Sequence, residues 1–277
     1  MATGYNEARV AFDNYLDMSL KNKTRQKRAV SSTEFAIHPD MRLTMSLKDL
    51  LSSTRSKRSL TEMFAEALLE TSVISYNLVV VYGTKIKGRD SEQDHSHKEA
   101  DTLLPHYVLA SVDESKRQEI CVWSPDTDVL TLLLDLGSHS ICSLKFLTGK
   151  GVKYREIDVV DRVKVIGHGK CQGLIGLHNF TGADWGGKFV GITKKTWITE
   201  YLKLCDDDPV ITCFRELGDS HVAMELIGKE LPENLRPLEH FVCRVYRRTG
   251  PTTLPPLRCE MFRSKNLEGE ICYHQLL

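Results

Sequence analysis

The sequence has no long apolar run, no closely paired cysteines and no net charge, and each absence argues against a class of protein. No apolar stretch approaches the ~18 residues typical of a membrane-spanning helix. The N-terminus lacks the basic and then apolar pattern of a secretion signal. None of the eight cysteines forms a C-x-x-C pair, so the pattern predicts no zinc site and fits a reducing compartment. The net charge of zero argues against a histone-like binder of nucleic acid.

The charge is nevertheless distributed unevenly along the chain. Residues 20–60 hold ten Lys and Arg against three Asp and Glu, a local net charge of +7. A basic segment attracts a phosphate backbone, and it also occurs as an ordinary solvated helix face. Taken alone, this segment does not distinguish the two interpretations.

Acidic residues recur where apolar segments meet predicted helix starts or turns. Glu99 and Asp101 lie within 97–102, Asp126 and Asp128 within 124–129, and Asp184 within 181–185. Carboxylates gathered at one end of a sheet repel each other unless cations lie between them. Oxygen ligands of this kind suit two divalent metals and an in-line attack on a phosphodiester. His95 and His97 lie beside one pair, but hard cations prefer oxygen donors, so we interpret both histidines as loop residues.

The order of apolar segments predicts an α/β fold with a mostly parallel central sheet flanked by helices. Predicted strands cover 9–12, 78–82, 119–123, 141–147 and 152–157, the last two as a hairpin, and predicted helices cover 60–71, 97–113, 127–136, 159–167 and 170–180. Ser59 and Glu62 would form a capping box for the first of these helices. Residues 84–96 are predicted to be a polar loop. In such folds the site lies at the carboxyl ends of the strands, where several of the acidic residues fall.

The segments at either side of this core have a different character. Residues 31–58 are predicted to be a flexible arch or lid with a short helix near 46–52. Helices are expected over 193–204, 207–217 and 222–247, with a break near Pro232 and Pro237, and the last 25 residues are expected to be irregular. We therefore predict a core domain over 9–190 and a helical C-terminal extension over 191–277.

These blocks together resemble the PIN-like 5′-nuclease superfamily of flap endonuclease and XPG-type enzymes. Phe12-Asp13 with the later Lys21 and Arg28 is similar to the family's Phe-Asp strand end and basic pair. Residues 99–102 resemble its E-x-E-A element, 124–128 its S-x-D-S-D element, and 182–185 its G-S-D-Y element. Residues 191–196 resemble a degraded form of the segment that opens its duplex-binding helical turn. The chain looks closer still to a group of animal, partly transposon-associated open reading frames, over roughly 9–265.

The resemblance implies a metal-dependent, structure-selective nuclease that hydrolyses DNA, or RNA as a second substrate class, by a two-metal mechanism. Two Mg²⁺ or Mn²⁺ ions would bind six carboxylates: Asp13, Glu99, Asp101, Asp126, Asp128 and Asp184. Lys21 and Arg28 would act on the scissile phosphate, and Lys188, Lys194 and Lys195 would hold the duplex backbone. The expected substrate implies a nuclear or cytoplasmic location.

Departures from the family pattern keep other functions open. Family enzymes carry a further metal-binding Asp on a first strand, and no such strand precedes Phe12-Asp13 here. The alternative is a catalytically impaired nucleic-acid-binding protein or scaffold, and a small-molecule phosphatase is a third class with the same carboxylate chemistry. For Asp126 and Asp128 the simpler interpretation is a helix N-cap, which is compatible with metal binding.

Overall fold

The computed structural model describes nine segments of the chain: 5–15, 36–71, 76–88, 91–94, 99–112, 119–139, 143–182, 189–217 and 231–267. The chain divides into two compact units, residues 1–111 and 112–277. The predicted boundary after residue 190 stays a prediction.

The first unit is built on a four-stranded sheet in the order β1-β2-β3-β4. Its strands are β1 (Glu7–Ala11), β2 (Asn77–Tyr82), β3 (Lys85–Gly88) and β4 (Glu92–Asp94), and its helices are α1 (Leu47–Leu50), α2 (Thr54–Glu70) and α3 (Ala100–Ser111). β1 and β2 pair in parallel with Ala11 beside Val81, and the N–H of Phe12 donates to the carbonyl of Val81 at 2.9 Å. The apolar run of β2 packs on Ala65 of α2, which is fully buried. The predicted strands 9–12 and 78–82 are confirmed.

The prediction of a polar loop over 84–96 is wrong. β3 turns back antiparallel on β2, and β4 is antiparallel to β3. β4 consists of Glu92, Gln93 and Asp94, all exposed, so it has no apolar alternation that could reveal a strand. An ion pair of 2.7 Å connects Lys85 of β3 to Glu92 of β4.

The predicted start of the helix over 60–71 is also wrong. α2 begins at Thr54, and its N-cap is Ser53, whose side chain accepts from the N–H of Ser56. Ser59 instead lies inside the helix, where its Oγ accepts from the N–H of Ile37 at 2.7 Å. The polar run of residues 54–59 hid this first turn and a half, because no apolar spacing marks it. The short helix predicted near 46–52 is confirmed as α1.

The second unit contains a three-stranded sheet in the order β5-β6-β7. Its strands are β5 (Ile120–Trp123), β6 (Leu144–Thr148) and β7 (Arg155–Asp158), joined through a 3₁₀ turn at Gly151–Lys153, with helices α4 (Thr127–Gly137), α5 (Val159–Ile166) and α6 (His168–Phe180). β5 and β6 are parallel and β7 is antiparallel, so the predicted hairpin is confirmed. Gly149 has φ of 79°, and a Cβ there would lie 2.1 Å from the carbonyl oxygen of Lys153, so this turn requires glycine.

The C-terminal helices of this unit share one hydrophobic core with α6. They are α7 (Lys194–Leu202), α8 (Pro209–Glu216), α9 (Arg236–Tyr246) and α10 (Leu254–Leu267). Trp197, Phe214 and Phe241 are fully buried and pack with Leu177 of α6. The expectation of an irregular end is wrong for residues 254–267, where α10 forms and buries Leu257.

The fold is α/β with mixed sheets flanked by helices. Among the described strands, two pairs are parallel and three are antiparallel, so the prediction of a mostly parallel sheet is wrong. Each parallel pair contains a strand that ends next to predicted acidic residues, β1 in the first sheet and β5 in the second. Among the helices described, none combines the length and apolarity needed to cross a membrane.

Glycine in α6 permits backbone contact with α8. A Cβ at Gly176 would lie 1.9 Å from the carbonyl oxygen of Phe214, and neither backbone can move aside cheaply. We predict that Gly176→Ala lowers the free energy of unfolding by about 1–3 kcal/mol, although Ala normally favours a helix. Chemical denaturation would measure this change. Asn179→Ala, an exposed position on the same helix, is the control and should stay within about 0.5 kcal/mol.

A charged hydrogen bond in the first unit makes its stability depend on pH. The hydroxyl of Tyr82 donates to Glu66, and the Lys87 ammonium lies 3.0 Å from the same carboxylate. The Tyr82 hydrogen bond, helped by Lys87, lowers the pKa of Glu66 below its ordinary value of 4.5. A lowered pKa stabilises the fold above the ordinary value, and this contribution is lost as pH falls through the folded-state pKa.

We therefore predict that Tyr82→Phe costs about 1 kcal/mol at pH 7, since the carboxylate is partly exposed, and less below pH of about 4. Denaturation curves across this pH range would measure the difference from the unmodified chain. Tyr76→Phe, in the same unit, should show no such trend. A cost for Tyr82→Phe that stays constant down to acid pH would contradict this role for Glu66.

Candidate functional site

Asp13 follows β1 directly and reaches the start of a distant helix. Its Oδ1 accepts a hydrogen bond from the backbone N–H of Ala100 at 3.0 Å. Ala100 is the first residue of α3, whose N–H has no partner within the helix. The bond joins residues 87 positions apart and places Asp13 beside the residue between Glu99 and Asp101, whose predicted metal binding stays a prediction.

Glu99 and Asp101 flank the residue that Asp13 contacts. Both are half-buried, and Oδ1 of Asp101 is shielded from solvent in the first turn of α3. Negative charge near a helix N-terminus is stabilised by the backbone dipoles, which lowers the cost of placing carboxylates here. The contact of Asp13 with Ala100 brings the carboxyl end of β1 to the start of α3.

Asp126 and Asp128 occupy the corresponding place in the second unit, at the end of β5. Asp126 is the N-cap of α4, and its Oδ1 accepts from the N–H of Asp128 at 2.9 Å. The N–H of Asp126 in turn donates to Oγ of Ser124 at 3.0 Å. The capping interpretation of Asp126 is therefore confirmed, and it uses one of the two carboxylate oxygens.

Two other aspartates show that this capping geometry is not by itself a sign of function. Asp158 caps α5 by accepting from the N–H of Asp161, and Asp208 caps α8 by accepting from the N–H of Val210. Asp158 even has a second aspartate in the first helical turn, as Asp126 does. What distinguishes the 126–128 pair is the set of side chains around Asp128.

His178 lies beside Asp128 and contacts Lys194, and the sequence prediction did not include His178. Nε2 of His178 is 3.5 Å from Oδ2 of Asp128 and 3.2 Å from Nζ of Lys194. Lys194 also donates to the carbonyl of Gly182 at 3.3 Å. His178 lies six residues before the predicted ligand Asp184, and this proximity in sequence was the available signal.

The same ring nitrogen of His178 faces both groups. Nε2 accepts from the Lys194 ammonium when it carries no hydrogen and donates toward Asp128 when it carries one. His178 therefore links Asp128 of α4 to Lys194 of α7. Lys194, predicted to bind nucleic acid, makes these internal contacts at the first turn of α7 instead of extending into solvent.

The remaining predicted residues divide into described and undescribed positions. Lys195 is exposed on α7, so its predicted role in backbone binding stays open. Lys21, Arg28, Asp184 and Lys188 lie outside the described residues. Within the basic segment 20–60, Arg58 donates through Nε to the carbonyl of Tyr15 at 3.0 Å, so this guanidinium has a structural role.

The donors suit a hard divalent cation in chemistry, but the described residues do not assemble a complete site. Among them, no three Asp, Glu, His or Cys side chains come close enough together to hold one metal ion. Asp13, Glu99 and Asp101 belong to the first unit, and Asp126 and Asp128 belong to the second. We therefore assign no reaction step to a metal at these positions.

Comparisons with protein-family models, with curated proteins and with solved structures found no match to this chain. The nuclease interpretation therefore depends on the residues themselves.

Two substitutions distinguish the effect of the hydrogen bond that Asp13 accepts from α3 from the effect of its negative charge. We predict that Asp13→Ala lowers the free energy of unfolding by about 1 kcal/mol, because the N–H of Ala100 loses its acceptor. Asp13→Asn keeps an acceptor oxygen and should stay within about 0.5 kcal/mol of the unmodified chain. Chemical denaturation of both variants tests this, and equal costs would contradict the hydrogen-bonding role.

Proposed function

We propose that this chain is a divalent-metal-dependent, structure-selective nuclease of the PIN-like type, acting on DNA, with RNA as a second substrate class. The observation that carries the proposal is the hydrogen bond from the N–H of Ala100 to Asp13. This bond brings Asp13, at the end of a strand, next to the segment that contains Glu99 and Asp101, 87 residues later in the chain. The family resemblance requires these two segments to lie close together.

A second observation supports the same function. Asp126 and Asp128 follow β5, which pairs in parallel with β6, just as Asp13 follows β1, which pairs in parallel with β2. In sheets with parallel strands, ligand sites lie beyond the carboxyl ends of those strands. Both acidic groups follow a strand of a parallel pair, and this shared position supports the proposal.

The roles of the chain's own residues follow from their chemistry. The carboxylates of Asp13, Glu99, Asp101, Asp126, Asp128 and Asp184 would hold two Mg²⁺ or Mn²⁺ ions. When bound, such ions supply charge neutralisation at the phosphate and a nucleophile at neutral pH. Lys21 and Arg28 would donate to the scissile phosphate, where positive charge stabilises the transition state. His178 would orient Asp128.

A second candidate is a nucleic-acid-binding protein without catalytic activity. Specific observations favour it: Asp13 and Asp126 each already accept a backbone N–H, and the described residues contain no group of three metal ligands. Carboxylates that serve only as helix caps need no cation. The two candidates predict different results for a substitution that removes the negative charge of Asp126 and keeps its helix cap. The nuclease would lose cleavage activity, whereas the binding protein has no such activity to lose.

The test is cleavage of an end-labelled 5′-flap duplex, and of single-stranded DNA and RNA, by the full chain with Mn²⁺, with Mg²⁺ and with EDTA. Asp126→Asn is the key variant because asparagine caps a helix about as well as aspartate. We predict metal-dependent cleavage that falls by at least about 100-fold in Asp126→Asn, since even outer-shell partners of metals contribute 10- to 100-fold.

Asp158→Asn is the matched control. It makes the same change at a helix cap in the same unit, outside the predicted metal ligands, and should leave cleavage and the unfolding midpoint unchanged. Cleavage that survives EDTA, or equal losses in both variants, would contradict the nuclease proposal. Salt-sensitive binding of nucleic acid without cleavage would support the second candidate.

A further inference from the structure

The second unit contains a cavity that the acidic residues do not line. Its volume is about 330 Å³, within the range of small-molecule sites. It lies where the start of α8, the outer face of α9 and the loop before α10 meet. Arg244, Arg247 and Arg248 line it, together with His240.

The charge of the lining is strongly positive. Three arginines line the cavity, and the acidic residue in its lining is Asp208, whose Oδ1 already accepts from the N–H of Val210. Arg247 is 3.6 Å from Glu260, a partly exposed pair of the kind that contributes little energy. The ion pair with Lys203 lowers the pKa of Glu200, and the positive charges of Arg248 and Arg244 add to this shift.

The dipole of α9 explains only part of this cluster of arginines. Basic residues near a helix C-terminus are favoured by its dipole, which explains Arg244 in the last turn of α9. Arg248 lies beyond the end of the helix and lines the same cavity. Arginines gathered in one lining repel each other, and an anion that binds among them relieves this repulsion.

Part of the cavity lining is apolar, and we call this part the apolar floor. It consists of Pro209, Pro237, Pro251 and the almost fully buried Phe241. The Arg244 guanidinium lies over the Phe241 ring at 5.5 Å, a geometry in which an arginine also presents a flat face for stacking. The cavity therefore combines apolar surface with donors suited to an oxyanion.

We propose that this cavity binds a phosphate monoester carried on a flat ring, that is, a nucleotide. Arginine forms paired hydrogen bonds to phosphate, and the apolar walls would cover the base. The nucleotide is either free or the terminal residue of a strand. The site is independent of the nuclease proposal, because it uses none of the predicted metal ligands.

The test is calorimetric titration of the full chain in EDTA, so that no metal-dependent binding contributes. The probes are adenosine 5′-monophosphate, adenosine and inorganic phosphate. We expect the monophosphate to bind at least about tenfold more tightly than either of the others, because it alone engages both the arginines and the apolar floor. We expect Arg248→Gln to weaken it by at least about tenfold, the size of one charge-assisted hydrogen bond.

Arg215→Gln is the matched control, since Arg215 is an exposed arginine on α8 that lines a different cavity. It should leave binding unchanged, and thermal unfolding midpoints would show that both variants fold. Arg244→Gln provides a second variant inside the cavity. Binding that is equal for adenosine and its monophosphate, undetectable at millimolar concentration, or lost equally in Arg215→Gln would overturn the proposal.

A second pair of probes distinguishes the two sources of the nucleotide. A short oligodeoxynucleotide with a 5′-phosphate is compared with the same strand ending in a 5′-hydroxyl. Tighter binding of the phosphorylated strand than of the mononucleotide, dependent on Arg248, identifies a strand end. Preference for the mononucleotide identifies a free ligand, and either result supports the site.

Discussion

The unpaired backbone N–H groups at helix starts determine where the acidic residues of this protein lie. Each helix begins with N–H groups that have no partner inside the helix, and a carboxylate supplies both an acceptor and a favourable charge. Asp126, Asp158 and Asp208 do this for their own helices, and Asp13 does it for a helix that begins 87 residues later. The last of these contacts turns a local capping preference into a long-range constraint, because it fixes the end of β1 against the start of α3.

The same interaction limits what the acidic residues reveal about chemistry. A carboxylate that accepts a backbone N–H is satisfied without a cation, and Asp158 has that geometry outside the predicted ligands. The cap formed by Asp126 uses Oδ1, so its second oxygen can contribute to a cation. Capping and metal binding are therefore compatible at Asp126. Only a substitution that keeps the helix cap and removes the negative charge distinguishes the two roles. The environment of Asp128, beside His178 with its contact to Lys194, is more informative than the cap itself.

The elements that could be predicted from sequence are those with an apolar side. β2, β5 and α4 bury Val80, Val122 and Leu133, and their spacing follows the period of a strand or a helix. β4 is exposed along its whole length and depends on pairing with β3, which no local pattern encodes. α10 begins with Leu254-Pro255-Pro256, and prolines that suggest irregular structure are tolerated in a first helical turn. For the site, the strand-end aspartates were predictable, whereas the approach of His178 to Asp128 depends on how α6 packs against α4, which the sequence does not specify.

The close approach of α6 and α8 has a consequence for how the chain can be divided. Gly173 and Gly176 let the two helices touch backbone to backbone, and Leu177 lies in the same core as Trp197 and Phe214. A protein truncated after α6 would present this glycine-lined, aromatic-contacting face to water. An exposed surface of this kind promotes self-association. The C-terminal helices are therefore needed to cover α6 and form an integral part of the second unit.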